Sequence, residues 1–289
     1  MKIKTIMKKV VATVLIVTST ITFATEVGVK AAEESNLYFF DTLGTPDFEY
    51  SSYDITGDGK KDTLKFSILD NASDGDSSMK VAVYVNGAKA FTKTEQCVTE
   101  MEMTVVPYKS QRFLFVQLWE ETDAHVDDFV LCWKDGKLEQ VLDIQDEMGA
   151  VGVIRSAEVN SLYGGKLSIR FTAQNDAIGL FDGWNEYKIG NQSLTKVSNK
   201  SGIYADNLRC SNANGSYYYD LEFKAAKNVK VYKKVDKKNV AFTLKKGKKI
   251  WISDVYVKNS KVMFYGRYGT KEGWFVPKIN MFQDVILGE

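Results

Sequence analysis

Three segments of this 289-residue chain repeat one plan of strand, loop, strand, tight turn and strand. The first begins at Thr63, the second at Phe113 and the third at Lys166. Their tight turns carry Asn-Gly at 86–87, Asp-Gly at 135–136 and Gly-Asn at 190–191, the residue types that close two-residue hairpins. A chain with this pattern is constrained to form consecutive antiparallel hairpins.

A further short strand is predicted before each unit, at residues 48–53, 101–106 and 157–162. Each repeat then has four strands and a period of roughly 50 residues, the size of a propeller blade. We therefore predict an all-β fold with an antiparallel β-repeat domain over residues 36–200. Its repeats form either a propeller-like fan or one irregular sandwich.

An aspartate-rich loop precedes the second strand of the first repeat. Asp54, Thr56, Asp58 and Asp62 stand at positions 1, 3, 5 and 9 of a calcium loop, and the Lys60 carbonyl stands at position 7. Gly59 would permit the sharp turn at position 6, but Lys65 replaces the glutamate that an EF-hand has at position 12. The other interpretation is a hairpin turn that binds no ion, since Gly and Asp are good turn formers.

The loop resembles the DxxGDGxxD loops of FG-GAP and VCBS-type repeats, which occur in integrin-like propellers and in many exported bacterial proteins. The match covers the first repeat alone, because the corresponding turns at residues 108–111 and 163–166 lack carboxylates. The resemblance implies one structural calcium ion, held by the loop from Asp54 to Asp62. A second acidic cluster, at Asp70, Asn71, Asp74 and Asp76, lacks ligand spacing and is interpreted as a solvated loop.

Charge is divided unevenly along the chain. Residues 33–200 contain 28 acidic and 16 basic residues, whereas residues 217–289 contain 7 acidic and 16 basic residues. The polar stretch between them, residues 201–216, is rich in Gly, Asn and Ser and is predicted to be a linker. The remaining residues, 217–289, are predicted to form a second domain.

That second domain has several short strands in about 60 residues, which predicts a small β-barrel. Its Val-Lys-Val-Tyr opening at 229–232, its lysine-rich turn at 244–250 and Gly273-Trp274-Phe275 resemble bacterial SH3-like (SH3b) domains over residues 221–277. The resemblance implies a binding module of exported cell-wall proteins, in which Trp274 belongs to the core. The lysine surplus favours anionic wall polymers or membrane surfaces as targets. A basic barrel without a partner is the other interpretation.

Residues 1–31 have the pattern of a secretory signal peptide. Lysines precede an apolar run of about 15 residues, which is shorter than the roughly 20 that span a membrane. We expect cleavage after Ala31, with cleavage after Ala24 or an uncleaved amphipathic anchor as alternatives. The signal resembles those of Gram-positive bacteria. We therefore expect a secreted, cell-wall-associated protein without an integral membrane span in the mature chain.

Candidate catalytic residues are few. The single histidine, His125, is flanked by aspartates and is interpreted as an exposed loop residue, with a metal ligand as the alternative. Of the three cysteines, Cys132 lies in an apolar run and is predicted to be buried, and the wide spacing from Cys97 and Cys210 gives no disulfide framework. No P-loop, GxSxG or HExxH motif is present.

These observations predict an extracellular, non-catalytic binding or adhesion protein. Its partner is expected to be a cell-wall polymer or an extracellular protein and not a nucleic acid, and calcium is the one expected cofactor. The competing hypothesis is a cell-wall-associated hydrolase with its active site in the β-repeat domain, since carboxylates paired in space cannot be recognised from sequence spacing.

Overall fold

The computed structural model describes residues 41–43, 47–70, 78–120, 125–203, 209–211, 217–219, 222–283 and 285. Over these residues the protein is almost entirely antiparallel β-structure, which confirms the predicted fold class. The predicted signal peptide, residues 1–31, lies outside the described residues.

The first repeat forms a four-stranded sheet in which each strand pairs with the next along the chain. Its strands are β2 (Glu49–Tyr53), β3 (Asp62–Asp70), β4 (Ser78–Val85) and β5 (Ala88–Gln96). The turn between the last two strands places Asn86 and Gly87 at positive φ, as the Asn-Gly sequence predicts.

The second repeat forms a five-stranded sheet, because a short strand from before the first repeat joins its edge. The strands are β1 (Asp41–Leu43), β6 (Glu100–Tyr108), β7 (Gln111–Trp119), β8 (His125–Lys134) and β9 (Lys137–Asp143). Strand β1 pairs with β6, so the chain crosses back from the first repeat to the edge of the second. This pairing links the first sheet to the second.

The third repeat follows a short helical connection and continues into the C-terminal part. The connection consists of α1 (Ile144–Met148), capped by the Asp143 side chain, and a 3-10 turn (Gly149–Val151). The repeat itself consists of β10 (Val153–Tyr163), β11 (Lys166–Asn175), β12 (Gly179–Ile189) and β13 (Leu194–Lys196). All four strands that were predicted for each repeat are therefore present.

The remaining described strands are short, apart from one long hairpin. They are β14 (Lys200–Ile203), β15 (Arg209–Ser211), β16 (Tyr217–Tyr219), β17 (Glu222–Lys224), β18 (Val229–Tyr232), β19 (Val240–Leu244), β20 (Lys249–Lys258), β21 (Lys261–Tyr268) and β22 (Lys271–Phe275). The β20–β21 hairpin turns at Asn259 and Ser260, both at positive φ, where the sequence predicts a hairpin. Among the described residues β15 and β16 form a separate two-stranded sheet, and the other strands form an open sheet, so the expected small barrel is not closed by strand pairing.

Strand β14 joins the two parts of the chain. Trp184 of β12 pairs with Gly202 on one side of this strand, and Asp254 of β20 pairs with Gly202 on the other side. The described part of the predicted linker thus contains a strand, and one sheet runs from β10 to β19. The predicted division into two domains stays a prediction, but backbone hydrogen bonds connect the two parts directly.

The second sheet is the central layer of the repeat region. Strands β7 and β8 of this sheet are buried on both faces, along residues 113–116 and 127–132. Phe129 and Leu131 face a core shared with the first sheet, whereas Val130 and Cys132 face a core shared with the third repeat and the C-terminal part. Two-sided burial explains why these strands are nearly continuous apolar sequences.

The ends of the three repeats lie together. A Cβ atom built on Gly57 would lie 3.4 Å from the Ser110 carbonyl oxygen, and one built on Gly165 would lie 2.9 Å from the Tyr108 hydroxyl. These residues belong to the three turns that correspond to one another in the repeat pattern. The three corresponding turns therefore lie next to one another, and the sheets are packed in layers as in a sandwich. In the part of the chain that the structure describes, no helix has the length and apolar composition to cross a membrane.

Candidate functional site

The aspartate loop of the first repeat connects β2 to β3 and folds around its own carboxylates. Both oxygens of the Asp54 carboxylate accept hydrogen bonds: Oδ1 from the backbone amides of Gly57 and Asp58, at 2.7 and 3.1 Å, and Oδ2 from that of Gly59, at 2.9 Å. The Asp58 carboxylate is exposed and accepts the Lys60 amide at 2.8 Å. Gly59 has φ +85, a left-handed backbone conformation that glycine adopts at less steric cost than other residues.

Asp62 closes the same loop from its other end and is only 3% exposed. Its Oδ2 accepts the amides of Ile55 and Thr56, at 2.7 and 2.8 Å, and its Oδ1 accepts the Asn86 side-chain amide at 2.6 Å. Burial works to raise the pKa of Asp62, but the hydrogen bonds from Thr56, Asn86 and Ile55 outweigh it and hold that pKa below its usual value. Asp62 is therefore an ionised structural acceptor.

The donor chemistry of this loop suits calcium, since carboxylate and carbonyl oxygens are its preferred ligands. Its geometry is that of a hydrogen-bonded turn, because the oxygens of Asp54 and Asp62 face backbone amides. Among the described residues, no group of three or more acidic, histidine or cysteine side chains is arranged to hold a metal ion. Calcium binding by Asp54, Thr56, Asp58, Lys60 and Asp62 stays a prediction.

His125 is not the exposed loop residue that the sequence suggested. It is the first residue of β8, its side chain is 1% exposed, and its Nε2 lies 2.7 Å from Oδ1 of the fully buried Asp128. The two side chains are within ion-pair distance. The ring also packs edge-on against Trp119, with centroids 4.9 Å apart.

A β-bulge explains this contact. Trp119 pairs with His125 and Leu118 pairs with Asp127, so Val126 is an extra residue in β8. Residues three apart in a regular strand point to opposite faces, but one extra residue returns His125 and Asp128 to the same face. Burial raises the pKa of Asp128 to about 6, against the opposing effect of His125. Both side chains of the pair are buried.

The opposite face of β8 carries a second buried charge, Asp127. Lys93 of β5 forms ion pairs with Asp127, with Asp143 at 3.5 Å and with Glu95 at 3.2 Å, and its ammonium lies 4.7 Å from the Phe129 ring centroid. Burial, together with the nearby carboxylates of Asp143 and Glu95, raises the pKa of Asp127 against the opposing effect of Lys93. Lys93 loses solvation as well, but its carboxylate partners keep its pKa above the usual value. This network bridges the first and second sheets.

The C-terminal part carries a groove with the opposite character, which we call the lysine groove. It has a volume of about 580 Å³ and no carboxylate in its lining. The lining lysines are Lys227, Lys230, Lys237 and Lys278. Lys227 donates to the Ile279 carbonyl at 3.1 Å, and none of the four forms an ion pair with a described carboxylate. Four positive charges with no carboxylate among the lining residues make this groove a candidate anion-binding site.

Sequence patterns alone identify the lysine surplus but not the groove. Residues from β18, from the segments directly before and after it and from the segment after β22 meet there, and Tyr232 of β18 pairs with Trp274 of β22. Asp70 ends β3, while the rest of the second acidic cluster lies outside the described residues. Cys132 is buried as predicted, and Cys97 is exposed.

Comparison of the chain with protein-family models, with curated proteins and with solved structures finds no match in any of the three. The proposal for this protein therefore depends on the geometry and charge described above, together with the motif resemblances in the sequence.

Proposed function

We propose that this protein is an exported, non-catalytic binding protein that docks through its basic C-terminal part onto an anionic polymer of the cell wall. The observation that carries this proposal is the lysine groove, in which four lysines surround a concave surface that has no acidic lining residue. Export is inferred from the signal-like sequence of residues 1–31.

The charge of the groove is suited to a repeating anion. Its lysines belong to a stretch with 16 basic and 7 acidic residues, so the surrounding field also attracts negative charge. A polymer presents several phosphates or carboxylates at once, so that several lysines contact one ligand. Solvent-exposed charges of this kind are screened by salt within about 10 Å at 0.1 M. Binding through the groove should therefore weaken as ionic strength rises.

The SH3-like resemblance of residues 221–277 supports the docking role, since such modules anchor exported proteins to walls. The repeat region, with its packed antiparallel sheets, is proposed to present the recognition surface for a second, extracellular partner. We propose a structural role for any calcium bound between Asp54 and Asp62, since the loop lies at a repeat end.

The experiment is sedimentation of the full-length mature protein with purified Gram-positive cell walls. The full chain is needed because β14 pairs with both parts. A groove variant replaces lysine by glutamine at four lining positions, 227, 230, 237 and 278. A matched control makes the same change in net charge at exposed lysines of the same part, at positions 245, 246, 248 and 271.

The groove variant is expected to lose at least about tenfold in wall affinity, and the control to lose much less. Walls stripped of their anionic polymers should retain neither protein. Equal losses in both variants would contradict a groove-specific site. Release of soluble sugar or peptide by the parent protein would instead support the hydrolase hypothesis.

A further inference from the structure

One face of the C-terminal sheet carries a row of aromatic side chains. Tyr265 pairs directly with Trp274 on β22 and with Asp254 on β20, and one row away Tyr256 pairs with Lys200 of β14. Directly paired residues of antiparallel strands project from the same face. The Trp274 ring lies 5.0 Å from Tyr265 and 6.1 Å from Tyr256, between centroids. We call Tyr256, Tyr265 and Trp274 the aromatic face.

A cation already sits on this face. The Lys200 ammonium lies 5.0 Å from the Trp274 ring centroid and 5.8 Å from that of Tyr265. Both distances are within the range of about 6 Å in which a cation is attracted by the ring quadrupole. Lys200 forms no ion pair with any carboxylate in the described parts of the chain. The aromatic rings are therefore the groups that hold the ammonium.

The surroundings of the face also favour a positive charge. Tyr265 is in contact with Glu272, and Asp254 is close enough to act on it electrostatically. Burial and these two carboxylates raise the pKa of Tyr265 to about 12. Residues 217–289 contain only 7 acidic residues, and two of them lie beside this tyrosine, where Arg267 pairs directly with Glu272.

Lys200 can leave the face without a change of fold. Its residue is exposed overall, and its backbone is held in β14 by pairing with Tyr256 while only the long side chain reaches the rings. Rotamer changes of exposed side chains occur in picoseconds to nanoseconds. Trp274 is only 5% exposed with Lys200 in place, in line with the expected core position. An incoming ammonium therefore has to displace the Lys200 side chain to reach this ring.

We propose that the aromatic face with Asp254 and Glu272 is a binding site for a primary alkylammonium group carried by a peptide partner, and that Lys200 is its resident internal ligand. Such a site recognises a cation through ring faces and carboxylates. This goes beyond the proposed docking role, since it uses neither the lysine groove nor an anionic ligand.

The test is a titration followed through the Trp274 indole N–H in the nitrogen–proton NMR spectrum of the full-length protein. That signal is assigned by its loss in Trp274→Phe. The probe is N-acetyl-lysine methylamide, and its neutral counterpart is N-acetyl-norleucine methylamide. The variant Lys200→Ala vacates the site, and Lys188→Ala removes an exposed lysine from neighbouring β12 as a matched control.

We expect the lysine probe to shift the Trp274 signal saturably in Lys200→Ala, at least about fivefold more tightly than in the parent or in Lys188→Ala. The norleucine probe should leave the signal unchanged. If Lys200→Ala does not fold, Lys200→Met serves in its place, because it keeps the aliphatic stem. Equal affinities in the parent and the Lys200 variants, or equal shifts with the neutral probe, would overturn the proposal.

Discussion

The repeat region, residues 33–200, and the C-terminal part, residues 217–289, each contain 16 basic residues. The two parts differ in whether those residues have carboxylate partners. In the repeat region Lys93 is held by Asp127, Asp143 and Glu95, and aspartates that lack a cation accept backbone amides. In the C-terminal part the groove lysines have no described ion-pair partner and face solvent. The first arrangement stabilises a fold, and the second leaves charge available for a ligand.

This contrast shows why net charge alone says little about function. The acidic surplus of residues 33–200 includes carboxylates that are buried or hydrogen-bonded, so it overstates the negative charge offered to a partner. The basic surplus of residues 217–289 is largely exposed. Substitutions should therefore affect stability in the repeat region and binding in the C-terminal part.

The largest effect is expected for Lys93→Met. Removing this ammonium leaves Asp127 buried without its cation, which should lower the free energy of unfolding by about 3 kcal/mol at neutral pH. Urea denaturation measures the loss, with Lys89→Met, at an exposed position of the same strand, as the control. A loss below about 1 kcal/mol would show that the network does not hold the two sheets together.

Asp128 should make stability depend on pH. Because its pKa is raised to about 6 in the folded protein, the native state binds this proton more tightly than the unfolded state does. The resulting stabilisation is present below about pH 4 and is lost as the pH rises through 6, by up to about 3 kcal/mol. The buried Asp127, whose pKa is also raised, contributes in the same direction.

The variant Asp128→Asn cannot lose that proton, so its stability should fall less than that of the parent between pH 4 and pH 7. Urea denaturation at both pH values gives the comparison, and Asp135→Asn, at an exposed turn, is the control. Parallel profiles of parent and Asp128→Asn would exclude Asp128 as the titrating group.

The next largest loss of stability is expected for the aspartate loop. Asp62→Ala removes the acceptor of four hydrogen bonds, one of them from the buried amide of Ile55, and should cost about 2 kcal/mol. The exposed Asp58 accepts one bond, so Asp58→Ala should cost less than about 1 kcal/mol. Similar losses in both variants would contradict the distinct structural role assigned to Asp62.

Calcium separates the two interpretations of this loop. If the loop binds the ion, calcium raises the melting temperature of the parent by a few degrees, and Asp58→Ala abolishes that rise while the apo protein stays nearly as stable. Thermal unfolding in calcium and in chelator makes the measurement. The absence of any rise in the parent would establish the loop as a turn that needs no metal.

Much of the repeat region was predictable, because its signals are local. Alternating apolar residues and the turn at 86–87 define the β4–β5 hairpin without reference to the rest of the chain, and all twelve repeat strands follow the same logic. Gly59 likewise marks the turn of the aspartate loop. Features set by one strand and its next turn are thus accessible from sequence.

The features that sequence could not give depend on pairing between distant strands. The burial of His125 results from one extra residue, Val126, whose presence is visible only against the register of β7. The position of Lys200 over Trp274 requires β14 to pair with β20. Residues 201–216, which separate Lys200 from the C-terminal part in sequence, were predicted to be a linker. The hydrogen-bond partners of Asp54 and Asp62 similarly depend on the folded path of the backbone.

The most direct test of the contrast between the two parts is the salt dependence of binding to a defined polyanion, such as a linear polyphosphate, by the parent, the groove variant and the matched lysine control. Log affinity decreases linearly with log salt concentration when lysines contact the polymer. If the groove lysines make these contacts, the magnitude of that slope should decrease by about one for each lysine replaced in the groove. The control should keep the slope of the parent. Equal slopes for the parent and the groove variant would contradict the claim that this groove is where the protein binds.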